Sequence, residues 1–129
     1  MSTLLLINPD SVQAWLYQQE LRESGYSVHA ATTESQAFSL LKAVNPDVII
    51  LDSGPPGSQA AHELAKRLCK ISAVPVILST STMTIDTQVC RRSGWRPAAS
   101  VLKSSDLGEL MSTIARVLSN EKHAEGIRS

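Results

Sequence analysis

Short apolar runs alternate along this chain with longer stretches in which apolar residues recur at helical spacing. The apolar runs cover residues 4–7, 48–51, 74–78 and 99–102, with a weaker run at residues 26–30. Near-continuous apolar runs bounded by turn residues are typical of strands that are buried on both faces of a parallel sheet. The pattern therefore predicts five β-strands.

A helical pattern follows each predicted strand. Apolar residues spaced at i, i+3, i+4 and i+7 indicate helices with one buried face. The first helix is expected over residues 9–24. The residues assigned to its buried face are Val12, Trp15, Leu16 and Leu21. The other helices are expected around residues 37–44, 61–71, 84–93 and 107–118.

Turn and capping residues fall at the ends of these predicted elements. Gly25 and Gly94 stand where the first and fourth helices should end. Thr33 and Gln36 match a capping box at the start of the second helix. Asp106 is placed to cap the fifth helix. This agreement between the apolar pattern and the turn and capping residues supports five strand–helix repeats.

Repeated strand–helix units predict an α/β domain. Parallel strands need right-handed crossovers, which place helices on both faces of the sheet. We therefore expect a three-layer α/β/α sandwich. One domain is predicted over residues 1–121, and residues 122–129 are predicted to form a polar, frayed tail.

Composition and charge exclude several classes of function. The chain has 129 residues and equal numbers of basic and acidic side chains, 12 of each, which argues against a nucleic-acid-binding surface. No apolar stretch approaches the roughly 18 residues that span a membrane. The N-terminus lacks the basic region of a signal peptide, so none is expected. Cys69 and Cys90 lack a metal-binding spacing, so two reduced, buried thiols in a cytoplasmic protein are expected.

Chemically reactive side chains stand at the ends of three predicted strands. Asp52 follows one apolar run and precedes a loop rich in Gly and Pro, while Thr80 and Lys103 follow the next two runs. In an open parallel sheet, binding sites form at the carboxyl ends of the strands. A carboxylate, a hydroxyl and an amine at this edge make a candidate phosphoryl site.

The order and spacing of several motifs resemble the receiver domain of bacterial two-component response regulators. The strongest stretch is PDVIILD at residues 46–52, followed by Pro56 and Gly57. PVILST at residues 75–80 and VLK at residues 101–103 continue the resemblance, which covers about residues 3–120. It implies a flavodoxin-like fold with a five-stranded parallel sheet in the order 2-1-3-4-5.

The resemblance implies a role for each residue at the sheet edge. Asp52 would accept a phosphoryl group from a histidine kinase, and Thr80 would donate a hydrogen bond to a phosphoryl oxygen. Lys103 would offset the added charge of about −1.5 to −2. Mg²⁺ would be held by Asp52, Asn8 and the backbone of Gly54, and would neutralise most of the remaining charge.

The sequence departs from the family pattern where that metal should bind. Two acidic residues usually follow the first strand, but this chain has Asn8 and Pro9, so Mg²⁺ binding is expected to be weakened. Asp10 comes one residue too late. Asn8 and Pro9 also match an ordinary helix start, with Asn as the N-cap and Pro in the first turn.

Two further departures concern the switch that reports phosphorylation. Ser100 stands where the family usually has an aromatic residue, and Ser104 replaces the proline that usually follows the lysine. A cis peptide bond before a residue other than proline costs about 2.5–4 kcal/mol. We therefore expect a trans bond between Lys103 and Ser104.

Three functional hypotheses remain open. The first is a receiver that acts through protein contacts without phosphorylation, a pseudo-receiver in which Asp52 and Lys103 pair for structural reasons. The second is a phosphoacceptor receiver. The third is a small enzyme or ligand-binding domain, for which no glycine-rich phosphate motif is present. The first two are not enzymes.

Expected partners are a histidine kinase, another signalling protein or a second copy of the chain, and neither nucleic acid nor a membrane. Trp95, Arg96 and Ser100 are the candidate interface residues, although such a Trp can also fold back onto its own core. His62 is expected to be a solvated residue of the third helix.

Overall fold

The computed structural model describes residues 1–55, 58–103 and 107–128, with side chains described up to residue 120. Strands and helices alternate regularly through these residues. The strands are β1 (Thr3–Ile7), β2 (Ser27–Ala31), β3 (Val48–Asp52), β4 (Val76–Thr80) and β5 (Ala99–Leu102). The helices are α1 (Ser11–Glu23), α2 (Glu34–Val44), α3 (Ala60–Ile71), α4 (Met83–Ser93) and α5 (Gly108–Arg128).

All strand pairs are parallel, and the strand order is β2-β1-β3-β4-β5. The predicted fold and strand order are confirmed. β1 lies between β2 and β3, so that Leu5 pairs with His29 on one side and with Ile49 on the other. β3, which carries Asp52, is the central strand. The carboxyl ends of all five strands therefore meet along one edge of the sheet.

Alternate residues of each strand enter two separate cores. Leu5, Ile49 and Leu78 face a core formed with α2, α3 and α4. Leu6, Ile50 and their neighbours face the opposite core, formed with α1 and α5. Because both faces are covered, the strands read as continuous apolar runs, as the sequence pattern indicated.

The prediction for the buried face of α1 was wrong for three residues. Leu21 is fully buried, but Val12, Trp15 and Leu16 are 66%, 59% and 51% exposed. At 100° per residue, Leu21 lies about 180° around the helix from Val12, so one face cannot bury both. Ala14, seven residues before Leu21, shares its side of the helix and is buried.

The start of α1 also differs from the prediction. The N-cap is Asp10, whose carboxylate accepts hydrogen bonds from the backbone amides of Val12 and Gln13. The interpretation of Asn8 as the N-cap was therefore wrong. Asp10 caps more effectively here because its carboxylate reaches two amides that have no partner within the helix.

Several smaller expectations are settled by local geometry. Thr33 caps α2 as predicted, but the Gln36 side chain accepts from the amide of Thr32 instead of completing the capping box. Cys90 is buried as expected, whereas Cys69 is exposed. Asp106 and the bond between Lys103 and Ser104 lie outside the described residues.

The C-terminal segment has a helical backbone. The backbone of α5 remains helical through Arg128, where a frayed tail was expected. No helix in the described part of the chain is both long enough and apolar enough to cross a membrane.

Because one side of α1 is buried and the other is exposed, the same Leu→Ala substitution can be compared on the two sides. Leu21→Ala should lower the free energy of unfolding by about 2–5 kcal/mol, because it leaves a cavity in the core. Leu16→Ala should change it by no more than about 0.5 kcal/mol, because Leu16 lies on the solvent side. Urea denaturation of both variants measures the difference, and equal losses would contradict the orientation of α1.

Candidate functional site at the carboxyl edge of the sheet

Asp52 is the last residue of the central strand, and its side chain is only 6% exposed. Its Oδ1 atom accepts hydrogen bonds from the Gly54 amide at 2.7 Å and from Lys103 Nζ at 2.8 Å. Gly54 has φ +75°, a left-handed conformation that glycine adopts without steric cost and that accompanies the turn of the chain after Asp52. One oxygen of this buried carboxylate thus has both a cation and a backbone amide as partners.

Lys103 reaches this carboxylate from the far side of β4. It follows β5 directly, and its backbone amide donates to the carbonyl oxygen of Thr80 at 2.8 Å. This bond extends the pairing of β4 and β5 by one residue and places the lysine at the sheet edge. The structure thus brings Asp52 and Lys103 together, as the order of the strand ends suggested.

Asn8 lies on the other side of Asp52 and is almost completely buried. Its side-chain oxygen accepts from the Asp10 amide at 2.9 Å, which turns the amide nitrogen towards Asp52, 3.4 Å from Oδ2. The same nitrogen lies 3.3 Å from Gln13 Oε1. Asn8 therefore presents a donor, and not an oxygen ligand, to the carboxylate.

This arrangement fits Mg²⁺ poorly. Mg²⁺ requires oxygen ligands in near-ideal octahedral geometry. Asn8 directs its oxygen elsewhere, Pro9 has no side-chain ligand, and Oδ1 of Asp10 is engaged at the start of α1. Of the predicted ligands, Asp52 and the backbone of Gly54 remain, and Lys103 already occupies part of the Asp52 carboxylate.

Thr80 is the last residue of β4, but its hydroxyl is directed away from Asp52. It donates a hydrogen bond to Oδ2 of Asp86 in α4 and accepts one from the Thr82 amide at 2.9 Å. Among the described residues, none of its hydrogen bonds goes to Asp52. The structure therefore places Thr80 at the predicted edge, with its proton already donated to another carboxylate.

The partners of Asp86 are residues that the sequence analysis missed or misjudged. His62 was expected in solvent, but it is fully buried, and its Nε2 lies 2.8 Å from Oδ1 of Asp86. The position of Asp86 within the buried stripe of α4, beside Val89 and Cys90, was the available signal. An acidic residue three and four positions before buried apolar residues faces the core and needs a partner there.

The candidate interface residues lie around a groove of about 550 Å³ between α4 and β5. Trp95 is buried and donates its indole N–H to Nδ1 of His62 at 3.2 Å, so it folds back onto its own domain. Arg96 is exposed and Ser100 is half-buried at the same groove. A second cavity, of about 290 Å³, lies beside Asp52.

Two residues near these carboxylates have perturbed acidities. Burial raises the pKa of the Tyr17 hydroxyl, and the negative charge of Asp52 adds to the rise. Burial also raises the pKa of the Cys90 thiol, with a further contribution from Asp86. Both side chains therefore favour their neutral, protonated forms, which avoids further negative charge beside the two buried carboxylates.

The parallel sheet in the order 2-1-3-4-5, with an aspartate ending its central strand, defines a flavodoxin-like domain. The model of the response regulator receiver domain family matches residues 4–115. The chain therefore belongs to this family, whose members are signalling modules of two-component systems.

Similarity to individual proteins agrees with this membership. The transcriptional regulatory protein AfsQ1 of Streptomyces coelicolor is 32% identical over 81 residues, which are 63% of this chain and 36% of AfsQ1. The match thus spans about a third of the length of that relative.

Solved structures show the same fold. The response regulator TrrA of Thermotoga maritima, in complex with Mg²⁺ and BeF, has a TM-score of 0.77 and 25% identity, over 91% of this chain and 99% of that chain. A CheY-like receiver domain protein of Methanospirillum hungatei has a TM-score of 0.81 and 17% identity, over 96% of this chain and 98% of that chain. The second comparison concerns the fold alone.

The ion pair at the site should contribute measurably to stability. Lys103→Met should lower the free energy of unfolding by about 1–3 kcal/mol, because it leaves the buried Asp52 carboxylate without its cation. Adding Asp52→Asn should recover much of this loss, because no uncompensated charge then remains. Urea denaturation of the single and double variants measures the coupling.

The matched control for this cycle is Lys70→Met, on the exposed surface of α3, which should change stability by no more than about 0.5 kcal/mol. Additive effects of Lys103→Met and Asp52→Asn would show that the two side chains are not coupled.

Proposed function

We propose that this domain is a pseudo-receiver, which relays signals through protein contacts without a phosphoryl group on Asp52. The observation that carries the proposal is the position of Asn8 and Asp10. After β1, Asn8 presents its amide nitrogen to Asp52, and Oδ1 of Asp10 caps α1. Phosphoryl transfer depends on positioning and on charge neutralisation, to which the metal contributes strongly.

The hydroxyl of Thr80 supports the same proposal. A phosphoryl group on Asp52 would need hydrogen-bond donors for its oxygens, but Thr80 donates to Asp86. In this proposal, the pair of Asp52 and Lys103 has a structural role. It neutralises a carboxylate at the end of the central strand and ties β5 to β3 across β4.

The proposed contact surface is the face of α4, β5 and α5, which receivers of this family commonly use for partners. Its groove is lined by Trp95, Arg96 and Ser100, and Arg91 lies on the same rim. The two exposed arginines favour a partner segment with acidic groups. The partner would be a histidine kinase, another signalling protein or a second copy of this domain.

A phosphoacceptor receiver is the second candidate, and a specific contact favours it. Lys103 Nζ lies 2.8 Å from Asp52, and the Gly54 amide donates to the same oxygen. Both groups would remain close to a phosphoryl group attached to this carboxylate, and the lysine would offset its charge.

The two candidates differ in their response to a small phosphodonor. We expect no gain in intact mass when the protein is incubated with acetyl phosphate and Mg²⁺. The double variant Asn8→Asp/Pro9→Asp, which restores two carboxylates after β1, should gain one phosphoryl group. That gain should disappear when Asp52→Asn is added. Intact-mass spectrometry measures all of these outcomes.

A phosphoryl group on the unmodified sequence, lost in Asp52→Asn, would replace the first proposal with the second. A phosphoryl group that persists in Asp52→Asn would show that the acceptor lies elsewhere. Circular dichroism of each variant verifies that the comparison is made between folded proteins.

A further inference from the structure

A continuous series of hydrogen-bonded side chains connects the sheet edge with the groove between α4 and β5. Trp95 Nε1 lies 3.2 Å from His62 Nδ1, and His62 Nε2 lies 2.8 Å from Asp86 Oδ1. The other oxygen of Asp86 accepts from Thr80. These four side chains, Trp95, His62, Asp86 and Thr80, form what we call the buried relay, and all four are buried.

The direction of every hydrogen bond in the buried relay follows from its chemistry. An indole N–H only donates, so Nδ1 of His62 accepts, and His62 carries its proton on Nε2. That proton is directed to Asp86. Thr80 accepts from the Thr82 amide, and its own proton is therefore available for Asp86. Each member depends on the orientation of the next.

A movement of one side chain in such a series affects the next one, because leaving a single buried hydrogen bond unmade costs free energy. A buried polar group left without its partner costs about 1–3 kcal/mol, and hydrogen bonds in a buried network strengthen one another. If Thr80 rotates, Asp86 loses a donor, and His62 is the next residue to respond. If the indole of Trp95 moves, Nδ1 of His62 keeps only the weaker contact with the Cys90 thiol, which lies 3.7 Å away.

The segment between β4 and α4 provides an element that is able to rearrange. Thr82 precedes α4, yet its side chain makes no capping hydrogen bond. Its hydroxyl oxygen is the one buried side-chain oxygen or nitrogen without a partner among the described residues. A turn with an unsatisfied hydroxyl and an uncapped helix start gains hydrogen bonds if it moves. Asp86, in the first turn of α4, donates its backbone amide to the carbonyl oxygen of Thr82 and would follow that movement.

We propose that Asp86 and His62 are positioning residues that couple the hydroxyl of Thr80 to Trp95. A partner that displaces the indole in the groove changes the environment of Thr80 at the sheet edge, and a change at Thr80 reaches Trp95. The two effects are reciprocal, as linkage requires. This coupling uses the interior of the domain in place of an aromatic side chain at position 100. It does not require phosphorylation of Asp52.

The indole N–H signal of Trp95 in NMR spectra tests the coupling from the Thr80 end. Trp15→Phe removes the other of the two tryptophans and leaves Trp95 as the single reporter. In this background, Thr80→Val removes the hydroxyl and keeps the shape, so it should shift the Trp95 signal. Thr80→Ser keeps the hydroxyl and should leave the signal in place. Thr113→Val, a buried threonine that donates within α5, is the matched control and should have no effect.

Breaking the middle of the buried relay should abolish this response. In His62→Phe or Asp86→Asn, Thr80→Val should no longer move the Trp95 signal. Asp86→Asn keeps the side-chain shape and replaces one acceptor oxygen. It therefore tests the coupling even if His62→Phe does not fold.

The reverse direction uses the amide of Thr82, which donates to Thr80. Trp95→Phe should accelerate hydrogen exchange of this amide roughly fivefold. Equal shifts in Thr80→Val and Thr80→Ser would overturn the proposal. So would an effect of Thr80→Val that survives unchanged in Asp86→Asn.

Discussion

The contact between Asp52 and Lys103 fixes the chemistry of this domain. A carboxylate that ends the central strand of a sheet covered on both faces is removed from water and needs a cation. Lys103 meets that need from two strands away. The pair therefore depends on the strand order, and the strand order brings the remaining site residues to the same edge. Asn8, Thr80 and Gly54 are positioned around a charge that the fold itself has neutralised.

Much of the fold follows from local pattern, because the inner strands β1, β3 and β4 are buried on both faces. The run at residues 48–51 could be recognised as a strand for this reason, and the residues that follow parallel strands had to converge at one edge. Asp52 and Lys103 were predicted to lie together on this basis, and they do. Which side of α1 is buried could not be predicted in the same way. Its apolar residues lie on opposite sides of the helix, and only tertiary packing decides which side is buried.

The buried polar contacts also could not be predicted from a single sequence. His62 and Asp86 are 24 positions apart, and neither has a motif that predicts the other. Their contact arises because α3 and α4 pack side by side against one core. The apolar stripe of α4 carries a signal for the burial of Asp86 that the sequence analysis did not use, but the identity of its partners depends on helix packing. Long-range polar pairs are set by the assembled fold, whereas a cap such as Asp10 is set within one turn.

The carboxylates of this domain are divided between local tasks. Asp10 caps α1, and Asp86 holds both His62 and Thr80. Asp52 ends the central strand at the edge, where it is paired with Lys103. Mg²⁺ needs several oxygen ligands directed at one point, and Oδ1 of Asp10 is used at the start of α1 instead. Asn8 and Asp10 act at the edge of the sheet, whereas Asp86 supports a connected interior between Thr80 and Trp95. The partners that the fold gives to each carboxylate thus bear both on the edge of the sheet and on its interior.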